Sequence, residues 1–355
     1  MTSSEPRAPY ADYQARRYLP ELDGLRALSI VLVFTTHIDA LFWEGLHGSV
    51  GVTVFFVLSG YLISTLALRE ERRRGHVDLV AFYVRRAFRI YPLYVTTLLA
   101  YCVLVLGVGM ASERRGFLPE RALMVAPEPP FSGAWSLGIE EKFYFVWPVL
   151  GFVLLAARRR LRAAVVVGAV GLFASSRMLV GDLGILLEPY ALIAIGCLLA
   201  LLLERRQSFL RLRHLSSGRR PLALGLLLVV VLVTVPGITL GGPLYVAFGV
   251  PVALFLVAVV SGPSRVQQAL QHRSLVQLGR ISYAFYLTHN FAINAVQGAL
   301  PQGDLWAGLV APPVAFAGAV LIAWVLHKTV EVPCIRWGRR LTARRDAEPA
   351  RTPAV

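Results

Sequence analysis

The chain has 355 residues, 56% of them hydrophobic, with a mean hydropathy of +0.61 and a formal net charge of +15. Charge falls in short runs between long apolar blocks, the pattern of an integral membrane protein rather than of a soluble core. The arginines sit between those blocks, where the positive-inside rule places them, so the basic balance does not point to nucleic acid.

The first twenty residues are polar, with Arg16 and Arg17 close to the first apolar run. The extreme N-terminus has no apolar signal region, so no cleaved signal peptide is expected. Ten spans are predicted, near 24–43, 50–68, 89–110, 136–157, 163–181, 184–203, 221–239, 243–261, 279–300 and 306–328. With the N-terminus in the cytoplasm, the inner loops and the C-terminal segment hold Arg72–Arg74, Arg85, Arg86, Arg158–Arg160, Arg205, Arg206, Arg219, Arg220, Arg339 and Arg340. The outer loops hold only Arg114, Arg115 and Arg121, all within 111–135. That asymmetry predicts an all-α membrane protein with both termini cytoplasmic. Segment 111–135 contains Pro119, Pro127, Pro129 and Pro130, so it reads as a loop or re-entrant cover. The division is an N-terminal cytoplasmic tail at 1–17, a membrane domain at 18–340 and a disordered tail at 341–355. No repeat of the transporter kind is visible.

The first span opens on Leu22-Asp23-Gly24-Leu25-Arg26 and carries His37 eleven residues after Arg26. On a continuous helix both side chains share a face, about 16 Å apart. An ionisable side chain in lipid needs a cavity or a partner, which marks His37 as a functional candidate. In the second span, packing weighs ahead of function for Ser59 beside Gly60, because small residues let helices approach closely. Arg86 and Arg89, entering the third span, share a helix face. They read equally as positive-inside anchors or as forks for phosphate oxygens.

The fourth span starts Trp135-Ser136-Leu137-Gly138-Ile139-Glu140-Glu141-Lys142, with Tyr144 following. One reading is a buried Lys–Glu pair; the sharper one is a Glu141 carboxylate that orients a catalytic imidazole. His289 in the ninth span is either a satisfied interhelical hydrogen bonder or a lining of the same cavity. Glu331 with Arg336 reads as a local carboxylate–arginine cap. Cys102, Cys197 and Cys334 show neither metal spacing nor a disulfide framework, and no metal site is expected.

In order, LDGLRAL with its histidine, GVTVFFVLSGYLI, RRAFRIYP, WSLGIEEKFYFVWP, GRISYAFYLTH and EVPCIR resemble the acyltransferase-3 family of membrane acyltransferases over roughly residues 18–340. The resemblance implies a ten-span fold in the inner (plasma) membrane and transfer of an acyl group, acetyl above all, to a sugar hydroxyl of a cell-envelope glycan or glycolipid. Acyl-CoA is the implied co-substrate, with no permanently bound cofactor. Implied catalytic residues are His37, Glu141 and Arg26. Substrate-binding candidates are Arg86, Arg89, Ser59, Trp135, Ser136, Tyr144 and His289. Thr53 stands where many relatives have an aspartate, and Thr288-His289-Asn290 replaces a commoner aromatic setting. Alternatives are acylation of a secreted glycoside such as a macrolide, a proton-coupled transporter, and a non-catalytic acyl-CoA sensor.

Overall fold

The computed structural model describes residues 9–38, 48, 50–104, 134–234, 243–299 and 306–347. Among the described residues every regular element is helical. In chain order these are α1 (Pro9–Ala15), α2 (Pro20–Thr35), α3 (Val50–Arg74), α4 (Leu79–Cys102), α5 (Ala134–Val149), α6 (Arg159–Ala174), α7 (Ser176–Val180) and α8 (Glu188–Glu204). They continue as α9 (Arg206–Leu212), α10 (Arg220–Thr234), α11 (Pro243–Val260), α12 (Arg265–Leu270), α13 (Arg273–Arg280), α14 (Ser282–Ala299), α15 (Ala311–Leu326) and α16 (Val332–Ala347).

Three helical runs among the described residues are long and apolar enough by themselves to cross a membrane: Val50–Arg74, Leu183–Glu204 and Gly308–Ala343. A fourth is added if Arg206–Ser216 and Arg220–Thr234, which meet at 76°, form one broken span. Large apolar side chains such as Leu66, Leu99, Phe145, Val229 and Leu321 stand exposed on the helices, as a lipid-facing surface requires.

Two boundaries differ from the sequence reading. The first span was expected to reach residue 43, but α2 ends at Thr35. The hydroxyls of Thr35 and Thr36 turn back onto the carbonyls of Leu32 and Val33 at 2.7 and 2.6 Å. Such local bonds compete with helix propagation. His37 therefore lies past the helix end, and the helical spacing from Arg26 does not carry to it. The fifth span is interrupted between α6 and α7, and Gly181 beyond them takes φ +60°, a left-handed conformation that favours glycine. The segment 111–133 and Asp39 lie outside the described residues. At the other end of the chain α16 continues to Ala347, past the start of the expected tail.

The described chain divides into two compact units. The first comprises residues 1–36, 43–66 and 159–280. Its helices meet backbone to backbone at several crossings, most closely at two. A Cβ placed on Gly24 would stand 1.9 Å from the Leu270 carbonyl oxygen, and one on Gly279 would stand 1.9 Å from that of Asp23. The second crossing joins α3 and α8, where a Cβ on Gly60 would lie 1.9 Å from the Ile193 oxygen and one on Gly196 2.1 Å from that of Val57. Close contact at Ser59-Gly60 is thus made by the glycine, as small-residue packing in membranes predicts.

The entry to α2 is held by charge. Glu21 is fully buried and accepts from Arg16 at 2.6 and 2.8 Å, from Gln267 at 3.3 Å and from Gln271 at 3.0 Å. A buried carboxylate persists only when its lone pairs are satisfied in this way. Asp23 accepts from Tyr18 at 2.5 Å and from Arg26 at 3.2 Å. Helix α1 falls inside the expected tail, and its Tyr13 is buried, stacks on Phe209 and bonds Tyr61 at 3.0 Å.

The second unit comprises residues 37–42, 67–158 and 281–355. Asp78 caps α4 by accepting from the Ala81 amide at 2.9 Å. Buried Glu70 takes Arg74 at 3.3 Å and Arg85 at 3.4 Å, so the first arginine of the RRAFR run serves an internal ion pair. Helix α16 lies on α4, with Gly338 tight against Phe88 and Trp337 edge-on to the same ring at 5.1 Å. Glu331 is buried, and the expected arginine cap is not its partner. Its carboxylate accepts from His327 at 2.8 Å, one helical turn earlier.

Candidate active site

The polar side chains of the second unit line up along α4, α5 and α14. Tyr83 donates to the Phe145 carbonyl at 2.8 Å, the Arg86 guanidinium lies 3.8 Å over the Tyr144 ring, and Tyr91 donates to Glu141 at 2.6 Å. Rising numbers on α4 meet falling numbers on α5, so these two helices run antiparallel. Tyr283 donates to the Ile90 carbonyl at 2.9 Å, and Ser136 and Tyr286 share a hydrogen bond at 2.6 Å. Helix α14 therefore runs with α4.

One helical turn beyond Tyr286 stands His289, fully buried. Its Nδ1 donates to the carbonyls of Tyr286 at 2.9 Å and Phe285 at 3.2 Å, while Nε2 lies 3.3 Å from Nδ1 of His37. The two imidazoles meet edge to face at 4.7 Å between centroids. From Arg86 to Ile90 on α4, and on from Tyr283 to His289 on α14, is about ten residue rises, or roughly 15 Å. The result is a column with a half-buried cation at one end and a histidine pair at the other.

Between those ends the two carboxylates have separate partners. Glu140 accepts from Tyr144 at 2.7 Å, and Glu141 accepts from Tyr91 and feels the charge of Arg86. Tyr283 lies in the field of Glu140, Glu141, Glu331 and Arg89. The expectation that Glu141 orients His37 is corrected by this geometry: the imidazole meets His289, and the carboxylate meets a tyrosine. Adjacent residues on a helix point about 100° apart, so Glu140 and Glu141 cannot serve one partner. The alternative buried Lys–Glu pair is not formed either, because Lys142 is exposed.

Arg86 keeps a buried Nε that no acceptor reaches, whereas Arg89, a turn further on, is exposed. Trp135 and Ser136 open α5, with Ser136 buried. In the first unit Arg26 is held by Asp23, and Ser59 is half-buried beside the α3–α8 crossing. Thr53 is fully buried with its hydroxyl unbonded. The sequence reading missed Tyr91, Tyr283, Tyr286 and Glu140. For Tyr286 and Glu140 a signal existed, a polar residue one turn from His289 and from Tyr144. Nothing local distinguishes Tyr91. Among the described residues no group of three metal-ligating side chains occurs.

This is a helical chain with runs long and apolar enough to cross a membrane, and buried His289 meets half-buried His37 at one end of a column of tyrosines, carboxylates and an arginine. It belongs to the acyltransferase-3 family, whose model, described as an acyltransferase domain, matches residues 19–328. Among curated proteins it is similar to the peptidoglycan O-acetyltransferase OatA of Listeria monocytogenes, 26% identical over 367 residues, covering 90% of this chain and 56% of that one. It is also similar to the O-acetyltransferase OatA of Staphylococcus aureus strain MRSA252, 26% identical over 390 residues, covering 96% and 61%. Bacillus subtilis YrhL is 31% identical over 320 residues, covering 79% of this chain and 49% of YrhL. The chain thus spans about half to three-fifths of the length of these relatives. No solved structure matches it.

Proposed function

We propose that the chain is a multi-pass inner-membrane O-acyltransferase that moves an acyl group, acetyl above all, from acyl-CoA to a sugar hydroxyl of a cell-envelope glycan. The observation that carries this reading is the contact of half-buried His37 with buried His289 in a chain of this family. The names of the two OatA relatives support the acetyl group, and the Listeria name supports a peptidoglycan acceptor. The spans number ten with both termini cytoplasmic, an arrangement supported by the arginine asymmetry of the loops. It is also consistent with α4 and α14 running together and α5 against them. The division into an N-terminal tail, a membrane domain over 18–340 and a C-terminal tail goes with this topology.

In this mechanism the donor's phosphates take charge-assisted hydrogen bonds from Arg86 and Arg89, and the unpaired Nε of Arg86 offers a ready donor. The thioester arm runs along the column towards the histidines, a path of about 15 Å. His37 removes the proton from the acceptor hydroxyl as its oxygen attacks the thioester carbonyl. The new C–O bond forms, the C–S bond breaks, and the thiolate of coenzyme A takes back the proton held by the imidazole. Transfer is direct, without an acyl-enzyme.

The test is acetyl transfer from radiolabelled acetyl-CoA to a peptidoglycan fragment by protein purified into lipid nanodiscs. Label should move to the glycan with wild type and not with His37→Ala. Transfer to a macrolide glycoside and not to glycan would replace the acceptor. Proton-coupled solute movement without any transfer would replace the enzyme by a carrier.

A further inference from the structure

We infer that His289 is a positioning residue that fixes the tautomer of His37, so that Nε2 of His37 is the nitrogen that works as the base. The inference rests on the reading of His37 given above and adds which atom acts and what holds it there.

The argument is one of donors and acceptors. A carbonyl oxygen only accepts. Nδ1 of His289 faces two of them, at 2.9 and 3.2 Å, on its own helix. That nitrogen therefore carries the ring proton, and Nε2 of the neutral ring carries the lone pair. Full burial leaves no bulk water to compete for either nitrogen. Nε2 lies 3.3 Å from Nδ1 of His37, and two lone pairs cannot bond each other. Nδ1 of His37 must then be the donor. A neutral imidazole has one N–H, so the lone pair of His37 resides on Nε2.

The His289 ring is held in plane as well as in tautomer. It stacks on Phe285, 5.9 Å away and 5° from parallel, and Phe285 packs on Phe316 at 5.4 Å. When Nε2 of His37 takes the acceptor's proton, the Nδ1–H bond to His289 stays in place. The imidazolium then leans on a neutral imidazole, where other histidine bases lean on a carboxylate.

The test reads the tautomer directly, by nitrogen-15 NMR of histidine-labelled protein in nanodiscs, with His37→Ala identifying the His37 signals. Wild type should show His37 protonated at Nδ1 and bare at Nε2. His289→Leu keeps bulk and removes the acceptor. It should lose that preference and lower kcat about tenfold or more, a fraction of what general-base catalysis contributes, with the acceptor's KM unchanged. His289→Gln supplies an amide oxygen for the Nδ1–H and should restore most of the loss. A His37 ring protonated at Nε2 in the wild type overturns the inference, as does a His289→Leu protein with unaltered tautomer and kcat. If the leucine variant does not fold, the wild-type spectrum and the glutamine variant decide. If wild type transfers no acyl group at all, the proposed function fails, while the spectrum still reports whether His289 sets the tautomer.

Discussion

The reassignment of Glu141 from His37 to Tyr91 can be measured. Tyr91 donates to a carboxylate oxygen at 2.6 Å, which places the bond in the charge-assisted class, worth about 1.5–3 kcal/mol against about 1 kcal/mol for a neutral bond. Glu141→Gln keeps an acceptor and removes the charge. Tyr91→Phe removes the donor and keeps the ring. The coupling between them in a double-mutant cycle should therefore be about 1 kcal/mol, the difference between the two classes. Reversible unfolding in mixed micelles, followed by circular dichroism, gives the four stabilities. A second cycle pairs Glu141→Gln with His37→Gln and reads transfer rate. Those two share no hydrogen bond, so their effects on the activation free energy should add to within about 0.5 kcal/mol. Strong non-additivity in the His37 cycle together with none in the Tyr91 cycle would restore the carboxylate to the imidazole and sink the present assignment.

Replacing His37 by Ala or Gln should lower the transfer rate by about 10²-fold or more while acyl-CoA affinity survives. Equilibrium binding measured beside initial rates checks both halves. Arg86→Gln and Arg89→Gln should each weaken acyl-CoA binding by about 1.5–3 kcal/mol. Unchanged affinity in a folded double variant would return these arginines to topology signalling. Gly24→Ala puts a methyl 1.9 Å from the Leu270 carbonyl oxygen and must push α2 off α12. The yield of monodisperse protein after heating should fall well below that of Gly298→Ala, where a Cβ meets nothing within 4 Å. A cysteine placed at Ser208 should resist an impermeant thiol reagent in intact cells; rapid labelling would break the cytoplasmic assignment of that loop.

The helices were legible because apolar runs in lipid leave the backbone little choice. The end of α2 was not, since Thr35 and Thr36 stop it by bonding backwards, and a hydropathy window cannot see that. Gly24 and Gly60 could be read as close-contact positions from residue type, but their opposite numbers, Leu270 and Ile193, could not. His37 and His289 were each visible as unusual residues in apolar surroundings. Their meeting was not, because 252 positions separate them and no local pattern encodes so distant a pair. Glu140 and Glu141 show the finer limit. Sequence offers two neighbouring carboxylates, and only helix orientation sends one to Tyr144 and the other to Tyr91.

The cage of three donor side chains around Glu21 has a consequence for how the chain is made. Two of its donors, Gln267 and Gln271, are synthesised 246 and 250 residues after the glutamate they hold. At about 5–20 residues per second, that is a delay of roughly 12–50 seconds on the ribosome. Through that interval the sole side-chain partner from this cage that Glu21 of α2 can have is Arg16. A transcript truncated before α12 yields a product in which that buried carboxylate lacks both glutamine donors.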